Sequence, residues 1–300
     1  MVTHHFLQEK SAQTSLTLGV GKFDGVHLGH QKIIQVIRER ASLTGSQPGV
    51  FTFRHFPVSF LLSSWNEKQS LLKKFGIKWC LWSDFEELSH WEPERFLERL
   101  RLWRVEELVV GFNFCFGAHR KGTLSFLKEV APAYGFKVTV VEPVLVEGAG
   151  VNSTRIRKAL ETGQLREVNL CLGRPFSFHG RVITGHQRGN RLGFPTANLY
   201  PARRIPLHHG VYAVWVHFHG DFFQAAMNVG VSPTFGLNEE TMEVHLLNFS
   251  GDLYGQELRV YLMKYLREEK VFATMEELRV QIEKDLEVVA AVLSEVPSFD

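Results

Sequence analysis

The chain has little cysteine. Cys80, Cys115 and Cys171 are three in 300 residues, odd in number and far apart, and no C-x-x-C pair occurs. That excludes a disulfide framework and makes a reducing, cytoplasmic setting the expectation. An excess of charge of one sign is also missing: 34 Lys+Arg stand against 32 Asp+Glu, a formal +2. So balanced a surface does not supply the field of a nucleic-acid or membrane binder, and no obligatory protein partner is evident. The 14 histidines shift this balance only near pH 6. No apolar run approaches the ~20 residues of a membrane helix. The first ten residues lack a basic-then-apolar signal pattern, so no leader is expected. No repeat or low-complexity tract interrupts the chain. What is present is globular in proportion, with 44% hydrophobic and 12% aromatic residues. The length suits two domains at roughly 150 residues each.

Two rhythms divide the chain near residues 171–175. In the first part, apolar runs at 16–20, 49–53, 79–82, 108–110 and 138–141 read as strands. They alternate with amphipathic stretches, among them one with Ile33, Ile34, Ile37 and Ala41 on one face, one over 93–102 and one over 123–130. Such alternation predicts βαβ units and a parallel sheet covered on both faces. In the second part, strand-like runs at 176–184, 210–218, 222–228, 242–247 and 258–263 lie close together with turn-rich connections. They predict a small antiparallel barrel. A capping box at Thr274 and Glu277 opens a closing helix with Leu278, Ile282, Leu286, Val289 and Leu293 on one face.

The first chemical cluster is Gly19-Val-Gly21-Lys-Phe23-Asp24-Gly-Val-His27-Leu-Gly29-His30, between the first strand and the first helix. Two imidazoles three residues apart at a helix N-terminus join free backbone N–H groups in a positively polarised pocket suited to phosphate. Gly29 lets a nucleotide approach the backbone. A zinc pair is the other use of H-x-x-H, but no third ligand lies nearby.

Phe23 to His30 resembles the signature of the HxGH nucleotidyltransferases, above all the adenylyltransferase module of bacterial bifunctional riboflavin kinase/FAD synthetases. Thr52-Phe53, Gly111-Phe-Asn113-Phe114-Cys-Phe116-Gly117 and Ser153-Thr154-Arg-Ile-Arg157 follow in the same order as in that module. Ser153 and Thr154 can cap a helix, and Arg157 can hold a phosphate bidentately. The resemblance implies transfer of AMP from ATP to FMN, with His27 and His30 at the reacting phosphates. It places Gly21, Phe23, Asp24, Gly29, Ser153, Thr154 and Arg157 around ATP, and Asn113 and Phe114 at the flavin. Phe56, Phe114 and Phe116 are candidates to stack on the isoalloxazine ring. The sequence departs from the family pattern at Arg54-His55-Phe56-Pro57, where Pro-His-Pro is usual, and at Cys115, Asn152 and Lys78.

The second cluster runs from Gly180 to Leu199. Its glycine-rich basic loop, with Gly185, Arg188, Gly189, Arg191 and Gly193, can wrap phosphates with backbone N–H groups. Thr196 and Asn198, two apart on an extended segment, share a face and suit a magnesium ion bound chiefly through water and ATP. The whole string is similar to the riboflavin kinase motif, with Asn190 where that motif has arginine. Asn228 to Phe235, Glu243-Val-His245-Leu and Leu266-Arg267-x-Glu269 continue the likeness. Glu243 alternates with Met242 and Val244 and so faces away from them. The resemblance makes it the base for the riboflavin 5′-hydroxyl. Arg267 either contacts flavin or neutralises Glu268 and Glu269.

These readings imply an α/β parallel-sheet HxGH nucleotidyltransferase domain over 1–172, then a small antiparallel β-barrel riboflavin kinase domain with a C-terminal helix over 173–300. Riboflavin, FMN and ATP would be the substrates, FAD the final product and Mg2+ the metal. Two alternatives stay open. One is a riboflavin kinase with a weakened or inactive adenylyltransferase domain. The other is a non-catalytic flavin- or nucleotide-binding regulator. A class I aminoacyl-tRNA synthetase fragment would rest on His-x-Gly-His alone, without the basic surface tRNA requires.

Overall fold

A computed structural model of the chain describes residues 1–8, 12–184, 193–234 and 237–295, with backbone alone at 232–234 and 237–239. It divides into two compact units, Met1–Ser153 and Thr154–Asp300.

The first unit is a six-stranded sheet. Its strands are β1 (Val2–His5), β2 (Leu16–Val20), β3 (Gln47–Phe53), β4 (Trp79–Ser83), β5 (Val105–Gly111) and β6 (Lys137–Val141). All pair in parallel, in the order β1-β4-β3-β2-β5-β6. Alternate residues go to opposite faces. Phe51, Leu81, Leu108 and Val110 pack on one side with Phe96, Leu97 and Leu100 of α4 (Pro93–Leu102). Val50, Cys80 and Val109 pack on the other with Ile34 and Ile37 of α1 (Leu28–Thr44) and Leu72 of α2 (Trp65–Lys74). This is the doubly covered parallel sheet that the alternation of strands and helices predicts.

Two elements are not evident in the sequence pattern. β1 is Val-Thr-His-His, without an apolar face; it holds the sheet edge by backbone pairing to β4, and His4 stacks on Trp79 at 5.4 Å. α2 begins with a complete capping box between Ser64 and Glu67, yet its polar composition hides an inward face. The unit is completed by α3 (Phe85–Leu88), α5 (Leu124–Val130) and a hairpin of β7 (Leu145–Val146) and β8 (Ala149–Gly150).

The second unit opens with α6 (Ser153–Glu161) and α7 (Leu165–Leu172). The Asn169 side chain donates to the Leu262 carbonyl at 2.9 Å and accepts from the Phe176 amide at 2.8 Å, tying α7 to the barrel. The barrel strands are β9 (Phe176–Ile183), β10 (Ala197–Pro201), β11 (Gly210–Phe218), β12 (Asp221–Thr234), β13 (Leu237–Leu246) and β14 (Glu257–Arg267). They close antiparallel in the order β10-β13-β12-β11-β14-β9. β9 alternates, with Phe176, Phe178 and Val182 buried. β11 is buried along most of its length, because its outer face is covered as well. The cover is α8 (Met275–Val292), whose Val289, with Leu293 just beyond its end, packs on Ala213, Trp215 and Tyr261.

Thr274 caps α8 by accepting from the Glu277 amide, but the Glu277 carboxylate accepts from Ala273, one residue before the cap. Arg267 at the end of β14 is held by Asp285 of α8, with Nε at 3.0 Å and Nη2 at 2.6 Å. Arg267 and Asp285 are only 17% and 11% exposed. Asp285→Asn keeps the shape but leaves the guanidinium half-buried without its counter-charge. The expected loss is about 3 kcal/mol. It is read as a fall of roughly 8 °C in the melting temperature of the second unit by calorimetry.

Candidate active sites

In the first unit the chain leaves β2 in one direction to form β3 and β4, and returns to the other side of β2 to form β5 and β6. A crevice outside the carboxyl ends of β2 and β5 is the expected ligand position in such a sheet. A cavity of about 760 Å³ lies there. Its walls include Gly21, Lys22, Phe23, His27, Gly29 and His30 after β2, Gly111 to Gly117 after β5, and Gly150 to Ser153.

His27 caps α1. Its Nδ1 accepts from the His30 amide at 3.4 Å, which makes Nε2 the protonated nitrogen of the neutral ring. The two imidazoles stack with centroids 3.7 Å apart, and Phe23 lies against His30 at 5.1 Å. A Cβ on Gly29 would stand 3.2 Å from the His27 ring, so a side chain there would crowd the imidazole. The first-turn amides Leu28 and Gly29 have no intrahelical acceptor. Opposite this polar corner, Phe53, Phe85, Trp91, Phe96, Phe114 and Phe116 make an aromatic wall. Phe114 and Phe116 are parallel within 15°, at 5.4 Å. One corner fits phosphate, and the other fits a flat conjugated ring.

The expected residues divide between the cavity wall and other settings. Asp24 is 1% exposed and does not line the cavity; its carboxylate accepts from the amides of Leu62 and Ser63 at 3.0–3.2 Å. It shapes the turn. Phe23 is 0% exposed and sits in the strained left-handed region at φ 47°, supporting His30. Phe56 is buried outside the cavity walls, with the ammonium groups of Lys22 and Lys68 5.0 and 5.3 Å from its ring. Arg54 and His55 both bind Asp84, at 2.6 and 2.9 Å. Burial pushes the Asp84 carboxyl up, but hydrogen bonds from Arg54 and His55 outweigh it and hold it below the usual range. Cys115 and Asn152 line the cavity, and Lys78 is an exposed residue before β4. Asn113 lines it as expected. Ser153 lines it too, while Thr154 and Arg157 follow on α6 in the second unit.

In the barrel, Asn198 of β10 pairs directly with Glu243 of β13, and Glu243 with Asn228 of β12. Directly opposed side chains share a face with Cβ atoms roughly 5 Å apart. Ala197, Leu199, Met227, Val229, Met242 and Val244 on the alternate positions are buried. Asn198, Glu243 and Asn228 therefore form one row on the outer face of the barrel. The Glu243 Oε2 lies 3.5 Å from the Thr196 hydroxyl. His245 holds the preceding segment through the Pro195 carbonyl at 2.8 Å. Asn228 Nδ2 donates to Glu269 at 3.3 Å, and a Cβ on Gly230 would collide with that carboxylate.

The Arg267 guanidinium pairs with the Asp285 carboxylate rather than those of Glu268 and Glu269, and its Nη1 donates to the Glu268 carbonyl at 2.9 Å. Gly193 lies at the edge of the described residues with φ 83°, whereas Gly185, Arg188, Gly189 and Arg191 fall outside them. Sequence reasoning missed Lys68, Asp84 and Asp285; Asp84 opens a capping box with Glu87, but the Arg54 and His55 contacts of Asp84 and the partners of the other two come through packing between residues distant in sequence.

Family comparison places both halves. A riboflavin kinase family model matches residues 172–293, and a FAD synthetase model matches 8–155. Bifunctional riboflavin kinase/FMN adenylyltransferases from Buchnera aphidicola and Escherichia coli are each 33% identical, covering 93% and 92% of this chain and 95% and 92% of their own. The Bacillus subtilis protein of the same name is 32% identical over 94% of this chain and 93% of its own. A solved structure described as a macrolide-efflux protein from Streptococcus pneumoniae superposes with a TM-score of 0.87 at 29% identity, covering 96% of this chain and 99% of that one. Among the described residues of this chain no helix is long and apolar enough to cross a membrane. Matched along both parts by these models and relatives, the chain belongs to the bifunctional riboflavin kinase/FMN adenylyltransferase family.

Proposed function

We propose that the chain makes FAD in two steps: riboflavin is phosphorylated by ATP to FMN, and FMN is adenylylated by a second ATP with release of pyrophosphate. Adenylyl transfer is assigned to residues 1–172 and phosphorylation to 173–300. The observation that carries the reading is one cavity that joins a histidine-lined helix start to an aromatic wall, as a phosphate-bearing planar substrate requires.

In adenylyl transfer, an FMN phosphate oxygen attacks the α-phosphorus of ATP and the bond to the β-phosphate oxygen breaks. No group of the chain need form a covalent bond. Its work is alignment and stabilisation of charge. The His27 Nε2–H and the Leu28 and Gly29 amides are donors suited to the phosphate oxygens, and the stacked His30 ring fixes the His27 plane. Phe114 and Phe116 offer faces to the isoalloxazine ring. Thr154 and Arg157 are assigned to phosphate by resemblance alone.

In the kinase step, Glu243 takes the proton of the riboflavin 5′-hydroxyl as that oxygen attacks the γ-phosphorus of ATP and ADP leaves. Thr196 and Asn198 flank Glu243 and would hold a magnesium ion. Hard, neutral oxygen donors beside one carboxylate fit a cation bound mainly through water and phosphate. The ion, when bound, would offset negative charge on the transferring phosphoryl group. Gly185, Arg188, Gly189, Arg191 and Gly193 are proposed to enclose the ATP phosphates. The free cysteines suit a cytoplasmic enzyme.

Two substitutions separate the steps. With riboflavin and Mg-ATP, Glu243→Gln lowers FMN formation by about 10²–10⁴-fold, while FMN supplied directly is still converted to FAD. FMN production at the wild-type rate would remove the role of Glu243. His27→Ala does the reverse: chromatography shows FMN accumulating at the normal rate and FAD formation down by about 10²-fold or more. Unimpaired FAD synthesis in that variant would detach the cavity from adenylyl transfer.

A further inference from the structure

Lys68 is 1% exposed, and among the described residues no other lysine or arginine is buried. A lysine this deep needs partners for its ammonium. From α2 its Nζ donates to the Lys22 carbonyl at 3.0 Å and to the Phe53 carbonyl at 2.8 Å. These two carbonyls lie just beyond β2 and at the end of β3. The Lys22 carbonyl accepts a second bond, from the Thr52 hydroxyl at 2.8 Å. Lys22 lines the cavity and directly precedes the segment that carries His27 and His30.

The groups that act on the ammonium come from each neighbouring element. Burial lowers its pKa to about 8, and the buried Asp24 carboxylate opposes that fall. The Cys80 thiol of β4, pushed up by burial to about 12, stays neutral through the range in question. The Lys22 ammonium shares the Phe56 ring with it. Lys68 is therefore charged at neutral pH and neutral in mildly alkaline solution. Its charge stands one residue behind the wall assigned to phosphate, in a medium where a charge acts over several ångströms with little screening.

We propose that Lys68 is a positioning residue of the adenylylation site, fastening the histidine-bearing loop and coupling the binding of anionic substrate to proton uptake at its own buried ammonium. The inference rests on the cavity being the adenylylation site. Bound phosphate favours charged Lys68, and by reciprocity charged Lys68 favours bound phosphate. As pH rises through the value at which free Lys68 loses its proton, affinity for ATP and FMN falls; well below it, Lys68 exerts no pH dependence.

The test uses the whole chain, whose kinase reaction is an internal control. KM values for ATP and FMN in FAD synthesis are measured from about pH 6.5 to about pH 9.5. The wild-type protein is expected to show KM rising about tenfold across pH 8. Lys68→Met has a high KM without that inflection, and its kinase KM for ATP matches wild type at every pH. Lys68→Arg keeps the charge and does not titrate in this range, so it also lacks the inflection, which decides the matter even where Lys68→Met fails to fold. Calorimetry with ATP near pH 8, in buffers of different ionisation enthalpy, shows more proton uptake by wild type than by either variant. An inflection that survives in Lys68→Arg, or a parallel loss of both activities in a Lys68→Met protein that calorimetry shows to be folded, overturns the proposal. His27→Ala reports independently on the cavity, since its loss of FAD synthesis is present at every pH.

Discussion

The pairing of β2 with β3 on one side and β5 on the other is the constraint on which the first unit depends. A parallel sheet aims all its strand carboxyl ends the same way, so the segments following β2, β3, β5 and β6 must emerge at one edge. Because the chain reverses its direction of growth at β2, the loops after β2 and β5 diverge and leave a crevice. Much of what resembles the adenylyl-transfer signature sits on those loops. His27 and His30 follow β2, and Asn113 to Phe116 follow β5. Buried polar groups then fix the crevice wall: Asp24 receives the Leu62 and Ser63 amides, and Lys68 grips the Lys22 and Phe53 carbonyls. Two buried polar side chains, both inside the protein, thus fix the turn.

The barrel solves a related problem with different geometry. No carboxyl-end crevice exists in a closed antiparallel sheet. Its reactive row instead arises from register, since Asn198, Glu243 and Asn228 stand directly opposite one another on three adjacent strands. A shift of one residue in any of these strands would turn its member of the row inward and place a polar group among Ala197, Met227 and Val244. The same hydrophobic alternation that builds the core thus keeps the carboxylate and two amides outside and together. α8 covers a different part of the outer face, over Ala213, Trp215 and Tyr261, and the Arg267–Asp285 pair fastens it there.

Much of this was legible in the sequence. Period-2 and helical patterning located fourteen of the strands and helices, with the larger errors at the ends of β12, β13 and β14, because each such element buries one face or both. Thr196 and Asn198 could be paired by their spacing and Glu243 turned outward by its alternation with Met242 and Val244, while the resemblance alone joined Glu243 to the other two. Contacts between residues distant in sequence were not legible. Arg267 reads as a cation beside Glu268 and Glu269, yet its partner lies 18 positions on, one helix away. Asp24 reads as part of a phosphate motif, yet it binds amides 38 and 39 residues later. Lys68 looks like a solvated residue of a polar helix, and only the fold shows that the face of α2 it shares with Leu72 turns inward toward Cys80.

The departures at Arg54, His55 and Phe56 gain a physical meaning from the same contacts. Asp84, on the segment between β4 and α3, receives Arg54 and His55 together, and Arg54 lies over the Trp82 ring at 4.5 Å. Phe56 turns under Lys22 and Lys68. The segment after β3 is thereby committed to structure, leaving the cavity walls to other residues. The aromatic lining of the cavity comes instead from residues after β5 and on α3 and α4, where Phe114 and Phe116 lie parallel. The basic side chains that line the cavity are Lys22, His27 and His30 after β2, with His119 and Arg120 farther along the chain.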